Sequence, residues 1–317
     1  MDNIIDFINV NRDRYVDELK GLLAIPSISA LQEHAADVRR CADWCAEEMR
    51  RIGLQNVRLM ETPGNPIVYG DWLGAPDAPT VLYYGHYDVQ PVDPLDLWAS
   101  PPFEATVRDG ELYARGAADD KGQVFMHFKA VEAHLKQSGR LPINMKFFVE
   151  GEEEVGSVHL DDFIREHKDD LRADLVVISD TAMFDRGVPS ICYGLRGLVY
   201  SQIDLRGSKT DLHSGVFGGA VANPAFVLAQ MIAQMKDRGG HIKVPGFYDD
   251  VRPLEEVERQ AWAELPFNET KYRKDFGFPR VFGETGYTTL ERTWARPTLE
   301  VNGLLSGFTG AGAKTVG

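Results

Sequence analysis

The chain of 317 residues carries 34 Lys+Arg against 48 Asp+Glu, a formal net charge of −14, with 44% hydrophobic residues and 10% aromatics. At about 100–200 residues per domain this is a two-domain length with enough apolar content for a sizeable core, which excludes intrinsic disorder. The acidic balance excludes nucleic acid and anionic membrane surfaces as partners, since both need a basic footprint, but it leaves room for carboxylates gathered around cations.

The opening stretch, MDNIIDFINVNRDRYVDELKGLL, is charged throughout and lacks the apolar run of a signal peptide. No stretch reaches the ~18 consecutive apolar residues of a membrane helix. Cys41, Cys45 and Cys192 are too few for a disulfide framework, and the first two, at i and i+4, read as small apolar residues on one helix face. These features lead us to expect a soluble, cytoplasmic protein.

In chain order, residues 4–23 have helical apolar spacing that stops at Pro26, and a second helix is expected over 33–52, ended by Gly53. Strands are expected at 56–60, 66–73 and 80–85, with GAPDAP as a hairpin turn between the last two. EATVRDGELYARG reads as a short strand pair turning at Asp109-Gly110. A helix is expected over 121–137. INMKFFVE (143–150) and ADLVVIS (173–179) read as continuous apolar strands buried in a parallel sheet, joined by a crossover helix over 159–168. Strands alternating with helices imply an α/β domain with a mixed, mostly parallel sheet flanked by helices up to residue 187. From 188 the pattern changes. CYGLRGLVYSQIDLRG and TLEVNGLLSG alternate like half-buried strands, and helices are expected over 223–237 and 253–265, which describes a separate α+β domain over 188–317.

The chemistry-bearing residues cluster at the ends of these strands. VLYYGHYDVQP places His86 and Asp88 just past an apolar strand, where i and i+2 side chains point the same way. Asp88 can then hydrogen-bond one imidazole nitrogen while the other faces a metal, although the pair alone also fits a loop histidine beside a solvated acid. Asp119 and Asp120 open a helix, as a simple capping cluster also would. Glu150, Glu152, Glu153 and Glu154 follow the next strand; such a run is either a solvated acidic loop or a cation holder. Asp180 ends a further strand. A parallel sheet brings these ends to one edge, where open α/β sheets build their sites. One His with several carboxylates suits a pair of divalent ions such as Zn²⁺ or Mn²⁺, and a free carboxylate beside them suits a general base, so the residues read as a two-metal hydrolase.

GHYDVQP, RGAADDKGQ, EGEEEVGS, VISD and DLHSGVFGG, in this order, resemble the di-zinc metallopeptidases that include carboxypeptidase G, succinyl-diaminopimelate desuccinylase and the carnosinase-like dipeptidases. The match covers residues 20–317, and DVQP, DDKGQ and DLHSGVFGG look closest to the dipeptidase branch. The resemblance implies a zinc-peptidase-like catalytic domain with an inserted lid and dimerisation domain, and two divalent ions, Zn²⁺ first, with Mn²⁺ or Co²⁺ as alternatives. It makes His86 a ligand oriented by Asp88, and Asp119 the bridge between the metals, with a cis peptide bond after it. It makes Glu153 the general base, Glu154 a ligand of the second metal, and Asp180 the residue completing the His86 metal. In this register Glu-Glu-x-Gly-Ser aligns on 153–157 and Glu152 is an extra acid. His213 would stabilise the developing oxyanion, often from a partner subunit. Implied substrates are dipeptides, with N-acyl amino acids as the alternative, and the implied assembly is a homodimer through the second domain.

Other signals carry less. GFTGAGAKT (307–315) resembles a phosphate-binding loop, but Ala313 stands where that motif needs Gly. Asn268-Glu269-Thr270 is a formal glycosylation sequon. His127 and His134, seven apart, read as packing or surface residues. Family members run on for well over a hundred residues and supply a further His ligand; the eight histidines here are at 34, 86, 127, 134, 159, 167, 213 and 241. This reading expects a truncated member whose second metal keeps only Asp119 and Glu154, with hydrolysis impaired relative to a longer parent. The rival reading is a non-catalytic fragment that binds metal and pairs without turnover.

Overall fold

The computed structural model describes residues 2–307 and 311, and the chain divides into two compact units, 1–190 and 191–317. The first unit opens with helices α1 (Asp2–Val10) and α2 (Arg12–Leu23) where one was expected. The break falls at Asn11, whose side-chain Nδ2 donates to the Phe7 carbonyl at 2.8 Å and competes with continuation of the helix. Helix α3 (Ala35–Ile52) ends at Gly53 in the left-handed region, φ 103°, as its sequence demands.

A five-stranded sheet follows, with order β1-β2-β6-β3-β7: β1 (Gln55–Met60), β2 (Ile67–Trp72), β3 (Thr80–His86), β6 (Asn144–Glu150) and β7 (Leu175–Ile178). β1–β2 and β2–β6 pair antiparallel, while β6–β3 and β3–β7 pair parallel, so the sheet is mixed. The expected hairpin between β2 and β3 does not form, because β6 lies between them. β6 is the most uniformly buried of the later strands, and its apolar run on both faces suits the centre. The GAPDAP loop therefore has to straddle one strand, and Asn144 fills it: its Oδ1 accepts from Ala75 N at 3.0 Å, and its Nδ2 donates to Ala75 O and Ala78 O. A separate hairpin, β4 (Thr106–Arg108) and β5 (Glu111–Tyr113), turns at Asp109 and Gly110, both at positive φ.

Alternation along the strands feeds two cores. Val68, Tyr83, Phe147 and Val149 face α3 and α4 (Lys121–Ser138), whose Cys41, Cys45, Met49, Val124 and Phe128 pack onto them. Ile67, Tyr69, Leu82 and Phe148 face the other way, toward Phe163 of α5 (Leu160–Glu166) and Leu171 of α6 (Lys168–Leu171). The result is three layers, helix on sheet on helix. Phe147, fully buried between Tyr83 and Phe128, is the kind of side chain whose truncation to Ala costs about 3–5 kcal/mol. Cys41 and Cys45 are buried free thiols on one helix face.

β7 departs from its expected burial. Among the described residues it pairs only with β3, at the sheet edge, and Val176 is 54% exposed. A continuous apolar run shows that a strand tolerates burial on both faces, not that something covers it.

The second unit contains α7 (Ser214–Phe217), α8 (Pro224–Met235), α9 (Glu256–Ala263), α10 (Glu269–Asp275) and α11 (Thr289–Trp294). Asn223 caps α8 by accepting from Ala225 N, and Asn268 of the sequon caps α10. Thr288 and Glu291 form a capping box at α11. Arg296 pairs bidentately with Glu284 and lies over the Tyr287 ring. The two expected strands, 192–207 and 298–307, form no ladder among the described residues, and Leu195 is 85% exposed. Alternation marks a segment that can pair, but a strand exists only with a partner beside it. Most of the 307–315 stretch lies outside the described residues.

Candidate metal centre

β3, β6 and β7 run parallel, so their C-terminal ends share one edge, and the acidic motifs meet there. His86, the last residue of β3, is completely buried. Its Nε2 lies 3.2 Å from Asp119 Oδ1, 3.6 Å from Asp180 Oδ2 and 4.0 Å from Glu153 Oε2. Its Nδ1 lies 3.1 Å from the Asp88 carbonyl and 3.3 Å from the Asp88 carboxylate. Both neighbours are acceptors, which places a ring proton on Nδ1 and turns Nε2 toward the carboxylates.

Among the described residues Nε2 has no hydrogen-bond partner although it is buried, an orphaned nitrogen aimed at two carboxylates. Ligand atoms about 2.0–2.1 Å from a tetrahedral zinc lie about 3.3 Å apart, close to the separations from Nε2 to Asp119 and Asp180. The three ligand atoms all lie within 4.8 Å of one another. The residues therefore fit one divalent ion with a fourth position open.

The electrostatics agree. Burial acts to lower the His86 pKa, but the carboxylates of Asp88, Asp120 and Glu153 outweigh it and raise the pKa to about 10. Burial raises Glu153, Glu154 and Asp180 above the ordinary carboxylate range, and neighbouring negative charges add to it. Burial likewise lifts Asp120 to about 7. A cluster in which bases hold protons and acids resist losing them is short of positive charge. The nearest lysine in sequence does not supply it, since the buried Lys121 Nζ donates to Leu22 O and Ile25 O.

Asp119 precedes α4, and the bond between it and Asp120 is cis. Asp120 accepts from the His86 backbone N–H at 3.1 Å, tying the helix start to the strand end. Glu153 and Glu154 sit on a single turn of 3-10 helix, Glu153–Val155, ended by Gly156 at φ 91°. The chain enters that turn through Gly151, where a Cβ would come within 2.3 Å of the Tyr87 ring. Glu154 accepts from Gln90 Nε2 at 2.5 Å and does not join the His86–Asp119–Asp180 group, although Asp119 is close enough to raise its pKa. Glu152 is held by His159, at 2.8 Å. His213, in the second unit, caps α7: its Nδ1 accepts from Gly215 N at 3.0 Å, so its Nε2 carries the proton.

A scan for family resemblance matches residues 82–303 to peptidase family M20/M25/M40. The chain is 34% identical to the Cys-Gly metallodipeptidase DUG1 of Candida albicans, over 99% of this chain and 68% of that one. The chain belongs to peptidase family M20/M25/M40. It is also 32% identical to human Beta-Ala-His dipeptidase, over 100% of this chain and 65% of that protein. The fold superimposes on the crystal structure of human carnosine dipeptidase 1 with a TM-score of 0.80 at 31% identity, covering 99% of this chain and 69% of that one. The chain thus spans about two thirds of the length of these relatives.

Within this family member a second acidic group, Glu18, Glu48 and Glu132, also gathers its carboxylates closely. It is neutralised from within: Lys129 Nζ contacts all three, and Arg14 and Arg51 close it from outside. This ionic cluster joins α2, α3 and α4 and needs no metal. Sequence reasoning left Ser29 and Gln90 without roles and read Asp120 only as part of a helix-opening cluster; their contacts with Asp88, Glu154 and His86 appear in the structure alone.

His127 of α4 packs on Tyr83 and bonds Ser179 Oγ through Nε2 at 2.6 Å, next to Asp180. Burial lowers its pKa from 6.5 to about 4. The unfolded chain therefore binds a proton between pH 6.5 and 4 that the folded chain refuses, so this stability is complete above pH 6.5 and is lost as the pH falls to 4. The full difference is about 3 kcal/mol. Denaturant unfolding from pH 7.5 to 4.5 should show a shallower acid limb in His127→Gln than in the unsubstituted chain, and parallel limbs would refute it.

Proposed function

We propose that this M20 peptidase is a metal-dependent hydrolase of small peptides, with dipeptides as its substrates. The observation that carries the reading is the orphaned Nε2 of a fully buried His86 facing Asp119 and Asp180. His86, Asp119 and Asp180 would hold one ion, and Asp119 and Glu154 a second, zinc being the first choice for this donor set and manganese or cobalt the alternatives. When bound, such ions polarise the scissile carbonyl and lower the pKa of an attacking water to about 7. Asp88 holds the His86 ring in place. The Glu153 carboxylate takes the proton from the water and returns it to the amine nitrogen as the C–N bond breaks. His213 would stabilise the negative charge that develops on a carbonyl oxygen, a role the family resemblance often gives to a partner subunit's copy. Residues 188–317 serve in this reading as lid and homodimer surface.

Amino-acid release from Cys-Gly, β-Ala-His, N-acetyl- and N-succinyl-amino acids tests the reading, on chelator-stripped protein with and without added Zn²⁺ or Mn²⁺. Metal-dependent cleavage of dipeptides is expected. Cleavage of the acyl amino acids alone would replace the dipeptidase by a deacylase, and no metal-dependent cleavage of any of them would leave the rival of a non-catalytic metal-binding fragment.

A further inference from the structure

We propose that Ser29 is a positioning residue of the metal centre, fixing the Asp88 carboxylate in the orientation that serves both His86 and the turn bearing Glu153 and Glu154. The inference rests on the reading of that centre as a metal site.

Ser29 Oγ donates to Asp88 Oδ2 at 2.6 Å, and the same oxygen accepts the Glu154 backbone N–H at 3.1 Å. The other oxygen, Oδ1, lies 3.3 Å from His86 Nδ1 and has no other partner among the described residues. Asp88 is fully buried, so its carboxylate depends on a few protein donors for its orientation. One carboxylate thus joins the end of β3, the acidic turn after β6 and the segment before α3. If it turned, it would release the imidazole and the turn together. Two donors on Oδ2 hold it against turning, and the hydroxyl is the one supplied by a side chain.

The backbone around Ser29 is anchored without that hydroxyl. Ser27 Oγ donates to Tyr87 O at 2.7 Å, Val89 N donates to Ser27 O at 2.9 Å, and Ile28 forms a parallel bridge with Val89. These bonds lay residues 27–29 along residues 87–89 and bring Ser29 over Asp88. Removing the Ser29 oxygen therefore deletes one contact and leaves the segment in place, which separates positioning from folding.

The test uses the full chain and its Ser29→Ala and Ser29→Thr variants, with Zn²⁺ affinity measured by competition against a chromophoric chelator and thermal melting of each metal-free protein. Outer contacts that orient ligands are worth about 10–100-fold in metal affinity, so Ser29→Ala is expected to bind zinc that much more weakly, and Ser29→Thr, which keeps the hydroxyl, within about threefold of the unsubstituted chain. A purely structural serine would lower the melting temperature and leave zinc affinity unchanged. That result would overturn the proposal, as would equal weakening in Ser29→Thr. Failure of the unsubstituted chain to bind zinc at all would overturn the metal-centre reading itself, and the positioning role with it.

Discussion

Replacing Glu153 by Gln is expected to lower metal-dependent dipeptide turnover by about 10²–10⁴-fold, the range a positioned general base contributes, with zinc binding retained. Gln keeps the size and hydrogen-bonding capacity of the side chain but cannot take up the proton. The geometry separates Glu153 from the ligands: its carboxylate is 4.0 Å from His86 Nε2, outside the tight group formed by His86, Asp119 and Asp180. Burial raises its pKa, moving it toward the value a base needs near neutral pH. Glu152→Gln is the matched control. Glu152 is occupied by His159, so its substitution should leave turnover within a few-fold. Steady-state kinetics with zinc titration on both variants decides the matter. Loss of zinc with loss of turnover would make Glu153 a ligand, and full turnover in Glu153→Gln would place the base elsewhere.

Asp119→Ala should have a larger effect, because in this account one side chain serves both ions. Zinc affinity is expected to fall by more than the roughly 10–100-fold that orienting contacts are worth, and turnover to fall with it at every zinc concentration that the protein tolerates. Excess zinc should not restore activity. Asp180→Ala removes a ligand from one ion only, so partial recovery at high zinc is expected there. Zinc titrations followed by activity compare the two, and equal behaviour of Asp119→Ala and Asp180→Ala would contradict the bridging assignment.

The parts of this molecule legible in its sequence are those set by local chemistry. Gly53 after an apolar helical stripe and Asp109-Gly110 between two short alternating runs each specify a turn or cap through a residue's own backbone preference, and each appears where it was read. The acidic motifs were legible for a related reason: strand ends of a parallel sheet converge whatever the strand order, so His86 and Asp180 could be brought together without knowing which strands pair, while Asp119 comes in on the start of α4. Strand order itself was not legible. GAPDAP has the composition of a tight turn, and nothing in it shows that β6, a strand far along the chain at Asn144–Glu150, separates the strands it joins. The burial of β7 and the pairing of 192–207 failed for the same cause, since alternation and apolarity describe what a segment can accept rather than what lies beside it. Ser29 and Gln90 were invisible because each acts through one hydrogen bond to a residue far away in sequence. Asn11 could have been found: an Asn inside a helical pattern that can bond the carbonyl four residues back is a local signal for a break.

The placement of the metal is tested most directly by X-ray absorption at the zinc edge on the zinc-loaded chain. The account predicts a first shell of nitrogen and oxygen atoms at about 2.0–2.1 Å with outer-shell scattering from a single imidazole, because His86 is its one histidine ligand, and loss of that imidazole signal in His86→Ala. A sulfur shell at about 2.3 Å, which would put the ion on the cysteines, or an unchanged spectrum in His86→Ala, would contradict it.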